Sequence, residues 1–132
     1  MNFLAPQTLT LTVLVVDDDS AVRRLIAREL EQVGFRVLTA SDGVEGLAVL
    51  NEPGIEVHLV LCDLVMPRLD GYQFADRLTA LPDPPEVIFL SAFRSDLEFD
   101  RPVLTKPFHL EDLAEAVLRY FQKRPRPESE NG

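Results

Sequence analysis

Hydrophobic positions along this chain change period at regular intervals. The run "LTVLVV" (11–16) is aliphatic without polar alternation, the pattern of a strand covered on both faces. It stops at three aspartates, Asp17, Asp18 and Asp19. From Ser20 the apolar residues recur at helical spacing, through Val22, Leu25, Ile26, Leu30 and Val33. Ser20 is a candidate N-cap and Gly34 a candidate C-terminal stop.

The cycle then repeats. "FRVLTA" (35–40) predicts a strand and Gly43 to Asn51 a helix with Val44, Leu47, Ala48 and Leu50, ended by Pro53 and Gly54. "VHLVLCD" (57–63) predicts a third buried strand. The stretch 70–81 predicts a helix capped by Asp70, with Phe74, Leu78 and Leu81 inside. Strands follow at 87–92 and 102–105, then an amphipathic helix over 110–121 with Leu110, Leu113, Ala114, Val117, Leu118 and Phe121 on one face. Alternating strands and helices imply a parallel sheet with right-handed crossovers and helices on both faces. Ligands of such sheets bind beyond the carboxyl ends of the strands.

At 132 residues the chain suits one domain. A formal net charge of -9 argues against attraction to nucleic acid phosphates or an anionic membrane face. The apolar opening lacks the basic start of a signal peptide and is cut short by aspartates. Cys62 is the only cysteine, which excludes an internal disulfide and favours a cytoplasmic setting. The expected organisation is a lead-in over 1–9, a folded domain over 10–122 and a disordered, proline-rich charged tail over 123–132, with no second domain to read DNA.

The chemistry lies at the predicted strand ends: the aspartates after the first strand, Asp63 on the third, Ser91 on the fourth and Lys106 after the fifth. Each alone has an ordinary explanation, since Asp commonly caps turns and helices. Together, Asp17, Asp18 and Asp63 would crowd three negative charges against one lysine, and carboxylates so placed resist joint ionisation unless a cation offsets them. A divalent ion brings the cluster to neutrality, and all-oxygen ligation suits Mg²⁺ or Mn²⁺.

The motifs "VLVVDDDS", "LCDLVMPRLDG", "FLSA" and "LTKPF" occur in one order across 11–122, and in these the chain resembles the receiver domain of two-component response regulators, in the class of the chemotaxis regulator. The resemblance implies a flavodoxin-like, doubly wound, five-stranded parallel sheet in the order 2-1-3-4-5. It implies that Asp63 accepts a phosphoryl group from a sensor histidine kinase or a histidine phosphotransfer protein. Asp17 and Asp18 would position Mg²⁺ with Asp63, and the Val65 backbone carbonyl would be a further ligand. Ser91 would be the switch hydroxyl, Lys106 the contact to the phosphoryl oxygens, and Lys106–Pro107 a cis peptide. Output would pass to a protein effector through a conformational change, not through nucleic acid or membrane contact.

Asp19 is expected to serve the helix start rather than the metal, and Cys62 to pack in the core. His58 and His109 fall at no motif position. Val65 and Phe93, two residues after Asp63 and Ser91, are apolar where the family tunes water attack, which implies a phosphoryl group not lost unusually fast.

The chain departs from the family in one place. Between Ser91 and Lys106 lie 14 residues, too few for a strand plus a stable multi-turn helix, so the family's fourth helix is expected to be short or absent. Val103 stands where many relatives carry a switching aromatic, and Phe93 and Phe99 are the nearby aromatics. Two other readings stay open. An aspartate-nucleophile phosphatase would use Asp17 and Asp19 at their i, i+2 spacing; a receiver-like interaction scaffold would keep the site residues without using them.

Overall fold

The computed structural model describes residues 10–91 and 103–123. The strands are β1 (Thr12–Val16), β2 (Arg36–Ala40), β3 (Leu59–Asp63), β4 (Glu86–Ser91) and β5 (Val103–Thr105); the helices are α1 (Ser20–Gln32), α2 (Gly43–Leu50), α3 (Gly71–Leu78) and α4 (Leu110–Lys123). All strand pairs are parallel, in the order β2-β1-β3-β4-β5. The expected doubly wound fold is therefore present. The short stretch expected in place of a fourth helix, with Phe93 and Phe99, lies outside the described residues.

Alternation assigns the strand residues to two cores. Leu14, Val16, Val60, Cys62, Val87 and Phe89 pack with Phe74 and Leu78 of α3 on one face. Val13, Val15, Leu59, Leu61, Ile88 and Leu90 meet Ile26 and Leu30 of α1 and Leu113, Ala114 and Val117 of α4 on the other. Two covered faces explain why β1 and β3 are unbroken apolar runs. Full burial of Val13–Val16 is worth on the order of 10 kcal/mol, more than the several kcal/mol that a buried carboxylate costs. That margin holds Asp17 at a fixed, water-poor place at the end of β1.

Several expected boundaries and faces shift. Asp19, not Ser20, caps α1, because its Oδ1 accepts the N–H groups of Ala21 and Val22 at 3.0 and 3.1 Å; Ser20 is the first helical residue. Gly34 ends α1 as expected, with φ 105, and Phe35 N–H and Gly34 N–H reach back to the carbonyls of Leu30 and Glu31 in a Schellman turn. Leu25, Val33, Val44 and Leu118 share the helical period yet lie exposed. In α2, Ala48 is also exposed, while the buried positions are Gly43 and Gly46. A narrow helix face against a flat sheet buries fewer positions than the period alone suggests. Leu81 is half-buried beyond the end of α3.

Candidate functional site

One residue past the strands, backbone bonds still tie the carboxyl ends of β1 to β2, β3 to β4 and β5 to β4. Asp17 N–H donates to Ala40 C=O at 3.2 Å, Leu64 N–H to Leu90 C=O at 3.1 Å and Lys106 N–H to Ser91 C=O at 2.6 Å. The ladder thus reaches into the residues that carry the chemistry, and their Cα positions follow from sheet register. β5 sits beside β4 with Ser91 opposite Thr105, which brings Lys106 to the same end as the aspartates although it is 89 residues from Asp17.

Four predicted residues meet there. Carboxylate oxygens of Asp17, Asp18 and Asp63 all lie within 4.8 Å of one another. Lys106 Nζ stands 3.3 Å from Asp17 Oδ2 and 3.6 Å from Asp63 Oδ1, bridging the two buried acids. Asp17 is fully buried, Asp63 nearly so, and Asp18 exposed at the mouth. Asp17 Oδ1 accepts the Asp19 N–H at 2.9 Å, and its backbone carbonyl accepts from the Arg23 guanidinium at 2.7 Å, so α1 also pins this corner.

Burial pushes the Asp63 carboxyl above its ordinary range, and Asp17 and Asp18 add to the rise; Lys106 and the N–H of Val65 oppose it. With its three carboxylates ionised against one lysine, the cleft lacks two positive charges. Its donors are hard carboxylate oxygens with an open side, a set that fits Mg²⁺ or Mn²⁺ and not a soft metal.

Ser91 is buried at the end of β4, on the strand next to Asp63, whose register partner is Leu90. Val65 is 68% exposed in the loop after β3, and its N–H faces the Asp63 carboxylate. The Lys106–Pro107 peptide is cis. Asp19 turns both its capping bonds toward α1, which leaves the phosphatase pair Asp17 and Asp19 without a shared site. Cys62 is buried in the core, where burial pushes its thiol up. His58 is structural: its Nδ1 accepts the Thr12 N–H at 3.0 Å. His109 is exposed.

Gly71 stands in the motif "LCDLVMPRLDG", which by itself assigns it no role. A Cβ there would come within 2.8 Å of Asp63 C=O and of Leu64 Cα, while Gly71 N–H donates to Leu64 C=O at 2.9 Å. The start of α3 can lie against the chain next to Asp63 only because position 71 has no side chain. Asp70 caps that helix in a reciprocal box with Gln73. The Asp70 cap is the one expected from the sequence; the reciprocal Gln73 bond is the addition.

A five-stranded 2-1-3-4-5 sheet whose strand ends gather three carboxylates and one lysine defines a receiver-type signalling domain. The chain belongs to the response regulator receiver domain family, whose sequence pattern matches residues 13–118. It is 33% identical over 112 residues to the response regulator receiver protein CpdR of Brucella abortus, covering 80% of this chain and 92% of that protein. It is 38% identical over 120 residues to the sensor kinase CckA of the same organism, covering 86% of this chain but only 13% of the much longer kinase. Among solved structures, the receiver domain of the hybrid histidine kinase CckA superposes with TM-score 0.71 at 32% identity, covering 82% and 96% of the two chains. TrrA of Thermotoga maritima, solved in complex with Mg²⁺ and BeF, superposes with TM-score 0.71 at 30% identity, covering 83% and 98%. Receiver domains bind Mg²⁺ at an acidic pocket, and Asp17, Asp18 and Asp63 gather in an acidic cleft here.

Proposed function

We propose that this protein is a phosphorylation switch, in which Asp63 takes a phosphoryl group from a phosphohistidine of a sensor kinase or a histidine phosphotransfer protein. The observation that carries the reading is the convergence of Asp17, Asp18 and Asp63 on one cleft, with Lys106 Nζ within 4 Å of both buried acids. The similarity to CpdR and to a segment of CckA supports a kinase-linked partner.

In the transfer, an Asp63 carboxylate oxygen forms a bond to phosphorus as the phosphorus–nitrogen bond of the phosphohistidine breaks, and the imidazole nitrogen keeps the electron pair. The product is an acyl phosphate on Asp63. Asp17, Asp18, Asp63 and the Val65 carbonyl would hold a Mg²⁺ ion that offsets the charge of the cleft and of the phosphoryl oxygens. Lys106, freed in part from Asp63 when that oxygen becomes esterified, supplies a fixed positive charge to the phosphoryl oxygens. Ser91, adjacent on β4, offers a hydroxyl to the same group, and movement of the Ser91 end of β4 carries the signal to a protein effector. Exposed, apolar Val65 beside the phosphorylated residue hinders hydrolytic water, so the acyl phosphate is not lost unusually fast. We assign the switch to the cytoplasm, where kinase domains and Mg²⁺ are available; among the described residues no helix is long and apolar enough to cross a membrane.

Incubation with a small phosphodonor and MgCl₂, followed by intact mass, tests this. A single phosphoryl adduct is expected on the wild type and none on Asp63→Asn. Equal adduct on both proteins, or none on either with donor or candidate kinase, overturns the reading.

A further inference from the structure

The loop that follows Asp63 contains a backbone conformation that its residue type disfavours. Arg68 has φ 69, and the Leu69 N–H closes a three-residue turn on the Pro67 carbonyl at 2.7 Å. Among the described residues, Arg68 is the only non-glycine with positive φ. Arginine has no local side-chain hydrogen bond with which to favour this region, as Asn or Asp would. Something outside the turn must hold it.

What holds it is α2. The Arg68 guanidinium pairs with Asp42 Oδ2, while Asp42 Oδ1 accepts the Glu45 N–H at 2.8 Å and caps that helix. One carboxylate thus does two jobs, one per oxygen. Beside this pair, buried Leu69 lies so close to Gly43 that an added Cβ would come within 2.9 Å of it. The far end of the loop is fixed by the Gly71 N–H on Leu64 C=O. Between Arg68 and Val65 stand only Pro67, whose ring fixes φ, and Met66, which is buried. The backbone at Val65, whose N–H faces the Asp63 carboxylate, has little freedom left once Arg68 is latched.

We propose that the Asp42–Arg68 pair is a positioning latch for the cation site: by holding the strained turn at Arg68 against α2, it fixes the Val65 backbone that flanks Asp63. The inference rests on the cation reading above. The Arg68 side chain is 64% exposed, so the pair contributes little to global stability; its effect is on loop geometry.

The test is Mg²⁺ titration by calorimetry beside amide hydrogen exchange at Leu69 and Gly71, on the wild type, Arg68→Ala, Arg68→Lys, Asp42→Asn and Asp18→Asn. In Asp42→Asn the cap oxygen remains and the charge is lost. Arg68→Ala and Asp42→Asn are expected to bind Mg²⁺ about tenfold more weakly with faster exchange at both amides, and Arg68→Lys to recover most of the affinity. Wild-type affinity in Arg68→Ala and Asp42→Asn, whatever their melting temperatures, overturns the latch while the loss of binding in Asp18→Asn upholds the cation reading. A wild type that takes up no Mg²⁺ overturns both.

Discussion

Two sets of aspartates in this protein meet opposite fates. Asp19, Asp42 and Asp70 each stand before a helix and give a carboxylate oxygen to backbone N–H groups. Asp17, Asp18 and Asp63 gather at strand ends, where Asp17 and Asp63 share Lys106. One member of each shows the contrast: the Glu45 N–H and then the Arg68 guanidinium hold Asp42 below its ordinary value, whereas burial pushes Asp63 above it. A helix start supplies its own positive pole; the ends of parallel strands supply none. The first set is balanced by its helices, and the second carries more negative charge than Lys106 offsets.

The largest way to break this contrast is to remove the lysine. Lys106→Ala leaves buried Asp17 without its charged partner, and in the presence of a chelator it should destabilise the domain by about 3 kcal/mol. Added Mg²⁺ should recover a large part of that loss in urea denaturation. Gly71→Ala comes next: with backbone 2.8 Å from the new Cβ, α3 must shift away from Asp63, at about 2 kcal/mol and with weaker Mg²⁺ binding by calorimetry. Asp19→Ala should cost about 1 kcal/mol through the lost cap and leave Mg²⁺ affinity at the wild-type value. A clear loss of affinity would place Asp19 with the cleft set.

The smallest effect concerns pH. Because the folded-state pKa of Asp63 is raised, the native state binds more protons than the unfolded chain in the window between the ordinary carboxylate value and that raised value. Stability therefore falls as pH rises through the window, and the deficit persists at neutral pH. Asp63→Asn should melt higher than the wild type at pH 7 without metal, with the gap closing as pH falls below about 4. Mg²⁺ should narrow it at pH 7. Asp42 acts with the opposite sign: its contribution is present above the ordinary carboxylate value and is lost as pH falls through its lowered folded value.

The element order and the aspartates at the strand ends were legible in the chain because they rest on local pattern; the strand order followed from the family resemblance. The apolar runs of β1 and β3, the turn after each, and Asp at each strand end are short-range signals. The buried faces were less legible, since Leu25, Val33, Val44 and Leu118 obey the helical period and still face solvent. Period says which residues share a face; only the width of the neighbouring surface says how many of them it covers. The helix start shows the same limit. Asp19 serves it as expected, but the cap itself falls on Asp19 and not on Ser20, which the direction of α1 decided.

By itself the sequence determined the strand and helix order, the two-sided burial of the central strands and the placing of Asp17, Asp63, Ser91 and Lys106 at element ends, because hydrophobic period and local turn chemistry act over a few residues. The tertiary structure decided what those ends face: Lys106 between two acids, Gly71 against the backbone of Asp63, and Arg68 bound across to Asp42. Such pairings depend on sheet register and on how helices seat across it. No window of sequence contains both partners of the Asp42–Arg68 or the Asp17–Lys106 pair, so their distances arise only when the chain has closed around its two cores.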